Sequence, residues 1–340
     1  MLAATFTLPK RARGRQSEAA QAAYDAQCAD FAGYMRQIAS SLDFTPGVRG
    51  WCYLLESFGL ITKGEFDTAQ RLITDLRKSG LLPLDICAED GAREWQLVEN
   101  VDGRNVDRHG RRLLDSLDAW IEDYLPFSFW DDKPVYIQMM VEKIDLRELF
   151  APVCGRFRVP LANAKGWSDL HTRAAMMRRF AEHEAAGRQC VLLYCGDFDP
   201  AGLRISDYLR SNMAELSGAI GGWLPDSVII DRFGLNYDFI TDNALSWIDN
   251  LETGSGRDLA DPKHPEYSKD YVQDYLRQYG SRKVEANALV VRAAAARKLC
   301  LDAILRYLPD AGAPDTFDAT LSPWRDDLRQ AVRGMLDDAV

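Results

Sequence analysis

Cys190-Val191-Leu192-Leu193-Tyr194-Cys195-Gly196-Asp197-Phe198-Asp199-Pro200-Ala201-Gly202, residues 190–202, is the stretch on which the fold of this chain turns. An unbroken apolar run ends abruptly in Gly-Asp-Phe-Asp-Pro. A short run without polar alternation fits a strand buried on both faces, as parallel sheets require. Pro200 suits the first turn of a following helix, whose N-terminus favours an anion. At the end of an extended strand, residues i and i+2 point the same way. Asp197 and Asp199 are therefore expected to face one spot, with Phe198 turned away into packing.

The same texture repeats on either side. Residues 135–141, 157–161 and 227–230 are further apolar runs, and residues 143–151, 168–186 and 200–217 between them read as helical. Ser168 can cap the middle helix and Gly187 can end it. Strand and helix in alternation predict an open α/β sheet. Such sheets bind ligands outside the carboxyl ends of their strands. Glu142 directly follows the first run, so it joins Asp197 and Asp199 if the first and third strands are neighbours. Three hard oxygen donors without His or Cys suit Mg²⁺ or Mn²⁺ rather than zinc. The plain alternative is that Asp199 caps a helix and Asp197 is a loop residue.

The first part of the chain reads differently. Residues 17–40 place Tyr24, Cys28, Phe31, Tyr34 and Ile38 at helical spacing. Thr45-Pro46 predicts the start of a second helix running to about Phe58 and closed by Gly59. A third runs from about Glu65 to Ser79 and ends at Gly80. Residues 81–86 and 96–101 look extended, around a polar turn in which Asp90 and Arg93 read as an ion pair first and nucleic-acid contacts second. Three helices and a small hairpin suit a winged helix over residues 17–125. Residues 1–16, with Lys10, Arg11, Arg13 and Arg15, read as a flexible basic tail that is either solvated or touches phosphate. The second unit spans 134–340; in it, residues 253–266 look like a loop and 281–308 like a helix or helix pair.

Composition narrows the class. The 340 residues carry a net charge of −10, with 47% hydrophobic and 27% charged residues, as in ordinary globular proteins. The acidic balance argues weakly against a broad DNA-binding surface, although local distribution matters more than the sum. No apolar run approaches the roughly 20 residues of a membrane span. No signal-peptide core is visible, and seven unpatterned cysteines predict reduced thiols and a cytoplasmic location. The four histidines lack metal-ligand spacing, and His109 reads as part of an exposed turn. Residues 218–222 are glycine-rich but lack a phosphate-loop lysine, so a nucleotide site is not expected there.

Glu142 after one strand and Asp197-Phe198-Asp199 after another resemble the Toprim domain of topoisomerases, primases and related nucleases. Lys165-Gly166-Trp167-Ser168-Asp169-Leu170-His171-Thr172-Arg173 is similar to the Lys-Gly-aromatic-Pro-Asp-x-x-Thr-Arg segment of the topoisomerase VI A subunit, with Ser168 where proline is usual. That family includes the meiotic double-strand-break transesterase. Its Asp-x-Asp-Pro-x-Gly motif resembles residues 197–202. Its Lys-x-Glu-x-x-Ala-Leu segment resembles Lys283-Val284-Glu285-Ala286-Asn287-Ala288-Leu289. A looser match, Val48-Arg49-Gly50-Trp51-Cys52-Tyr53, resembles the family's nucleophile helix, with Cys52 in place of an aromatic.

The resemblance implies a winged helix followed by a Toprim domain with a mostly helical C-terminal extension, and Mg²⁺-dependent cleavage of double-stranded DNA. It implies Tyr53 as nucleophile with Arg49 beside the phosphate, metal ligands Glu142, Asp197 and Asp199, and DNA contacts at Lys165, Arg173 and Lys283. It also implies a homodimer in which the tyrosine of one subunit meets the metal site of the other, with an ATPase, if one is used, on a separate subunit. Tyr53 is otherwise a half-buried aromatic on an amphipathic helix. Alternatives to the transesterase are a hydrolytic Toprim nuclease, for example in defence, and a non-catalytic DNA-binding scaffold.

Overall fold

A computed structural model describes residues 8–11, 17–88, 105–164, 170–252 and 256–338. The chain begins with three helices, α1 (Glu18–Ala39), α2 (Val48–Ser57) and α3 (Phe66–Lys78), followed by α4 (Val106–Glu122). Strand β1 (Val135–Val141), helix α5 (Ile144–Arg156), β2 (Leu161–Asn163), α6 (Leu170–Ala185), β3 (Gln189–Cys195), α7 (Ile205–Ala214) and β4 (Ile229–Gly234) then alternate. The chain continues through α8 (Tyr237–Asp242), α9 (Asp270–Tyr279), a 3-10 segment over residues 286–292, α10 (Ala293–Tyr307) and α11 (Ala313–Asp338).

The four strands form one parallel sheet in the order β2-β1-β3-β4. All of β1 is buried, and β3 is buried except for Gln189 at its start. That is why both read as nearly continuous apolar runs, broken in β1 by Gln138 alone. β1 and β3 pair in register from Val135 with Gln189 to Val141 with Cys195, so their carboxyl ends finish level. The chain leaves β1 toward β2 on one side and reaches β3 on the other, making this junction the switch point at which such sheets hold ligands. A single apolar cluster runs from Phe31 and Trp51 through Ile137 and Leu193 to Ile304 and Leu321. Among the described residues no helix is long and apolar enough to cross a membrane.

Several expectations shift. The strand expected at 157–161 shifts along the chain: α5 continues to Arg156, Phe157 caps it, and β2 begins only at Leu161. Phe157 and Val159 are buried by the helix end, and apolar content alone cannot separate the two outcomes. The strand expected at 227–230 is β4, which starts at Ile229 and runs on to Gly234 through polar Asp231 and Arg232, which hid its second half. Residues 81–86 contain a 3-10 turn, Leu84–Ile86, pinned where Arg77 donates to the Leu84 carbonyl. The N-cap of α2 is Gly47 rather than Thr45. His109 lies within α4, begun by Asn105, whose Oδ1 accepts from Arg108 N at 2.9 Å. Leu8 is buried, so the first segment is in part packed. Helices α9 and α11 fall within the C-terminal extension expected to be mostly helical, outside the helix or helix pair expected at 281–308. The ends of α3 and α6 fall as expected, at Gly80 (φ +76°) and Gly187 (φ +80°). The anticipated hairpin strand 96–101, Asp90, Arg93, Arg13, Arg15, Lys165 and Ser168 lie outside the described residues.

Candidate functional site

Glu142 extends the β1 line by one residue, its backbone N–H donating to Cys195 O at 2.9 Å. Gly196 and Asp197 follow β3 directly. Glu142 Oε2 accepts from Asp197 N at 2.8 Å, so the two strand ends are stitched together by the carboxylate itself. Only glycine fits at 196: a Cβ there would lie 2.7 Å from both Glu142 Oε2 and the Tyr194 hydroxyl.

Phe198 turns away, as alternation requires, and is buried among Tyr237, Trp247, Tyr275 and Tyr279. Its backbone pairs with Val284 in both directions, at 2.8 and 3.1 Å. That short antiparallel bridge draws residues 283–286 to the end of β3. Asp197 Oδ1 then accepts from Ala286 N at 2.8 Å, and Asp199 Oδ1 from Gly202 N at 2.6 Å. Each of the three carboxylates thus spends one oxygen on a backbone N–H. Arg232 braces the loop from below, donating to Asp197 O at 2.9 Å and to Gly202 O at 2.8 Å.

The remaining oxygens of Glu142 and Asp197 meet one cation. Lys143 Nζ lies 2.5 Å from Glu142 Oε1 and 2.9 Å from Asp197 Oδ2. Glu142 and Asp197 are therefore brought together, with an ammonium between them. Asp199 faces its own turn at Gly202. Among the described residues, no group of three or more His, Cys, Asp or Glu side chains is arranged to hold a metal ion. The donor chemistry still suits a hard divalent ion in the pair, where two carboxylate oxygens already converge on positive charge.

The electrostatics follow. Burial pushes the Asp197 carboxyl up, with Lys143 pulling against the shift and Glu142 adding to it. Burial opposes ionisation of Glu142 too, but Lys143 and the Asp197 N–H outweigh it and leave that carboxyl below its usual value. Burial also raises Asp199.

A second cluster abuts the first. Glu285 precedes Ala286, and its carboxylate takes both arms of the Arg49 guanidinium, at 2.9 and 3.0 Å. The Tyr53 hydroxyl donates to Glu285 Oε2 at 3.1 Å. Tyr53 is only 1% exposed, packed edge-on against Phe66, with Lys63 Nζ 4.5 Å from its ring centroid. Burial, then the Glu285 charge, pushes the Tyr53 phenol far above its ordinary value. Burial works against Glu285 ionisation, yet Arg49 holds that carboxyl below the ordinary value.

Helix α2 is set in place by a further carboxylate, Asp145. Asp145, in the first turn of α5, is 1% exposed, accepts from Gly47 N at the N-cap of α2, and takes the Asn287 side-chain amide on its other oxygen. A buried carboxylate at a helix N-terminus complements the free N–H groups there. Asp145 thus orients the helix that carries Arg49 and Tyr53 against the segment that carries Glu285.

Among the other expected contacts, Arg173 on α6 reaches the Asn212 carbonyl at 3.4 Å, and Lys283 is engaged with the Glu252 carbonyl. Neither is brought to the Glu142–Asp197 pair. Lys143, Arg232 and Asp145 were missed. Only Lys143 left a signal, its place beside Glu142, and adjacency along a chain does not say where a flexible side chain turns. No protein-family model matches this chain, and no curated protein matches it.

Proposed function

We propose that this chain cleaves DNA strands with the help of Mg²⁺ or Mn²⁺ at the Glu142–Asp197 pair, with Asp199 beside it, as a topoisomerase VI A-like transesterase. The supporting observation is the pairing of two carboxylates, each with one oxygen pinned by backbone, across level carboxyl ends of neighbouring parallel strands. In this reading α1–α3 belong to a winged helix and the sheet to a Toprim domain. Double-stranded DNA is the substrate, and a second copy completes each cutting site.

A bound divalent ion would neutralise charge on the reacting phosphate. The chain supplies the rest. Tyr53 Oη attacks phosphorus, a phosphotyrosyl bond forms, the bond to the leaving sugar oxygen breaks, and that oxygen takes a proton from water. The Tyr53 proton has an acceptor in Glu285, which Arg49 keeps a weak base. Arg49 shares Glu285 Oε2 with the Tyr53 hydroxyl and would contact phosphate once free of Glu285.

Hydrolysis is the second reading, favoured by the burial of Tyr53. Water then attacks, and Tyr53 only holds Glu285 in place. Supercoiled plasmid incubated with protein and Mg²⁺, then split into protease-treated and untreated halves, separates the two. Protein-linked DNA ends that vanish in Tyr53→Phe support the transesterase. Free ends made equally by Tyr53→Phe overturn it in favour of hydrolysis.

A further inference from the structure

Lys143 holds the two oxygens a divalent ion would need. Glu142 Oε2 and Asp197 Oδ1 are committed to the N–H groups of Asp197 and Ala286. Glu142 Oε1 and Asp197 Oδ2 remain, and Lys143 Nζ sits on both, at 2.5 and 2.9 Å. Mg²⁺ binds oxygen at about 2.0–2.1 Å, so the ion and the ammonium would have to occupy the same place beside the same oxygens. Two cations in contact there repel each other through surroundings of low polarisability.

We propose that Lys143 is the built-in counter-cation of the metal-free site: a divalent ion enters by displacing its ammonium, and the phosphate backbone of DNA takes up the released charge. This rests on the metal-dependent reading above. The backbone of Lys143 is fixed as the N-cap of α5, with its carbonyl accepting from Leu146 N at 3.1 Å. Only the flexible four-carbon stem has to turn, and the side chain is already 28% exposed, so its way out leads toward solvent. Glu285 feels the Lys143 charge, but its oxygens are taken by Arg49 and Tyr53. An ammonium leaving the pair on its solvent side can then be met by an outside polyanion. Metal and DNA binding are then coupled, each strengthening the other by the same factor.

Calorimetric titration of the full chain with Mn²⁺, with and without a nuclease-resistant phosphorothioate duplex, tests this. The wild type should bind Mn²⁺ about tenfold more tightly with the duplex, whereas Lys143→Met should bind tightly without it and gain less than about twofold. Lys143→Arg, which keeps the charge, should behave as the wild type does. If Lys143→Met melts prematurely, Lys143→Gln carries the same comparison, and the duplex dependence of the wild type stands as a test by itself. Equal Mn²⁺ affinity in wild type and a folded Lys143→Met or Lys143→Gln overturns the inference while leaving metal-dependent cleavage intact. So does a wild-type affinity indifferent to the duplex. Absence of Mn²⁺ uptake by every form, with or without duplex, overturns the metal-dependent reading itself.

Discussion

Tyr53 donates its hydroxyl hydrogen to Glu285 Oε2 at 3.1 Å, tying helix α2 to a segment 232 residues further along the chain. The same carboxylate is held by Arg49, so one acidic side chain gathers both residues expected to serve the cleavage chemistry. Ala286, the next residue, donates to Asp197. The tyrosine and the carboxylate pair are thus linked through two consecutive residues, Glu285 and Ala286, at the start of the 3-10 segment.

Removing the tyrosine hydroxyl should cost little stability. Tyr53→Phe keeps the ring packed against Phe66 and leaves Glu285 with its Arg49 partner, so the loss is that of one hydrogen bond, about 1 kcal/mol. Glu285→Ala strands a partly buried guanidinium and should cost about 2–3 kcal/mol. Urea denaturation of the two variants checks the order; a Tyr53→Phe loss equal to that of Glu285→Ala would contradict it.

Glycine at position 50 is required by Asp145. A Cβ there would overlap Asp145 Oδ1 and lie 2.8 Å from its Cγ. Asp145 cannot retreat, because Gly47 N and Asn287 hold its two oxygens inside the core. Gly50→Ala should destabilise the chain by about 1–3 kcal/mol, as overpacking does, despite the better helix propensity of alanine. An unchanged or raised melting temperature would show that α2 is not seated on Asp145.

Acid should weaken the Arg49–Glu285 tie in a definite window. The Glu285 carboxyl is held below its ordinary 4.5 in the folded chain. Above 4.5 it is ionised in both states, and its contribution is complete. As pH falls from there toward the folded value, the unfolded chain takes up a proton that the native chain refuses, and stability is lost. The stability difference between wild type and Glu285→Gln should therefore be largest near neutral pH and shrink below 4.5. Urea midpoints of both proteins across that range measure it, and a difference that grows on acidification would refute the tie.

The sheet and part of the site were legible for one physical reason. Strands β1 and β3 are buried almost throughout, and such strands read as long, nearly unbroken apolar runs, with Gln138 of β1 tolerated because Met176 O and Arg179 satisfy its amide. The acidic residues that close them then stand out as a change of chemistry at a strand end. β2 failed this test because only three residues pair, and its apolar approach, Phe157 and Val159, is buried by the end of α5 instead. Only the start of β4 was legible, as the run 227–230, because Asp231 and Arg232 interrupt the rest, each for a partner elsewhere: Asp231 meets Arg306 and Tyr307, and Arg232 meets the loop after β3. Lys143 was illegible because its role depends on where a flexible stem turns. Asp145 was illegible because its partners, Gly47 and Asn287, lie 98 and 142 residues away.

Supercoiled plasmid incubated with Mg²⁺ and either wild type, Glu142→Gln or Asp197→Asn tests the central claim most directly, provided each variant still unfolds cooperatively. The paired carboxylates predict nicked or linear product from the wild type and none above background from either variant. Equal cleavage by all three proteins, or an intact plasmid with the wild type in both Mg²⁺ and Mn²⁺, would contradict it.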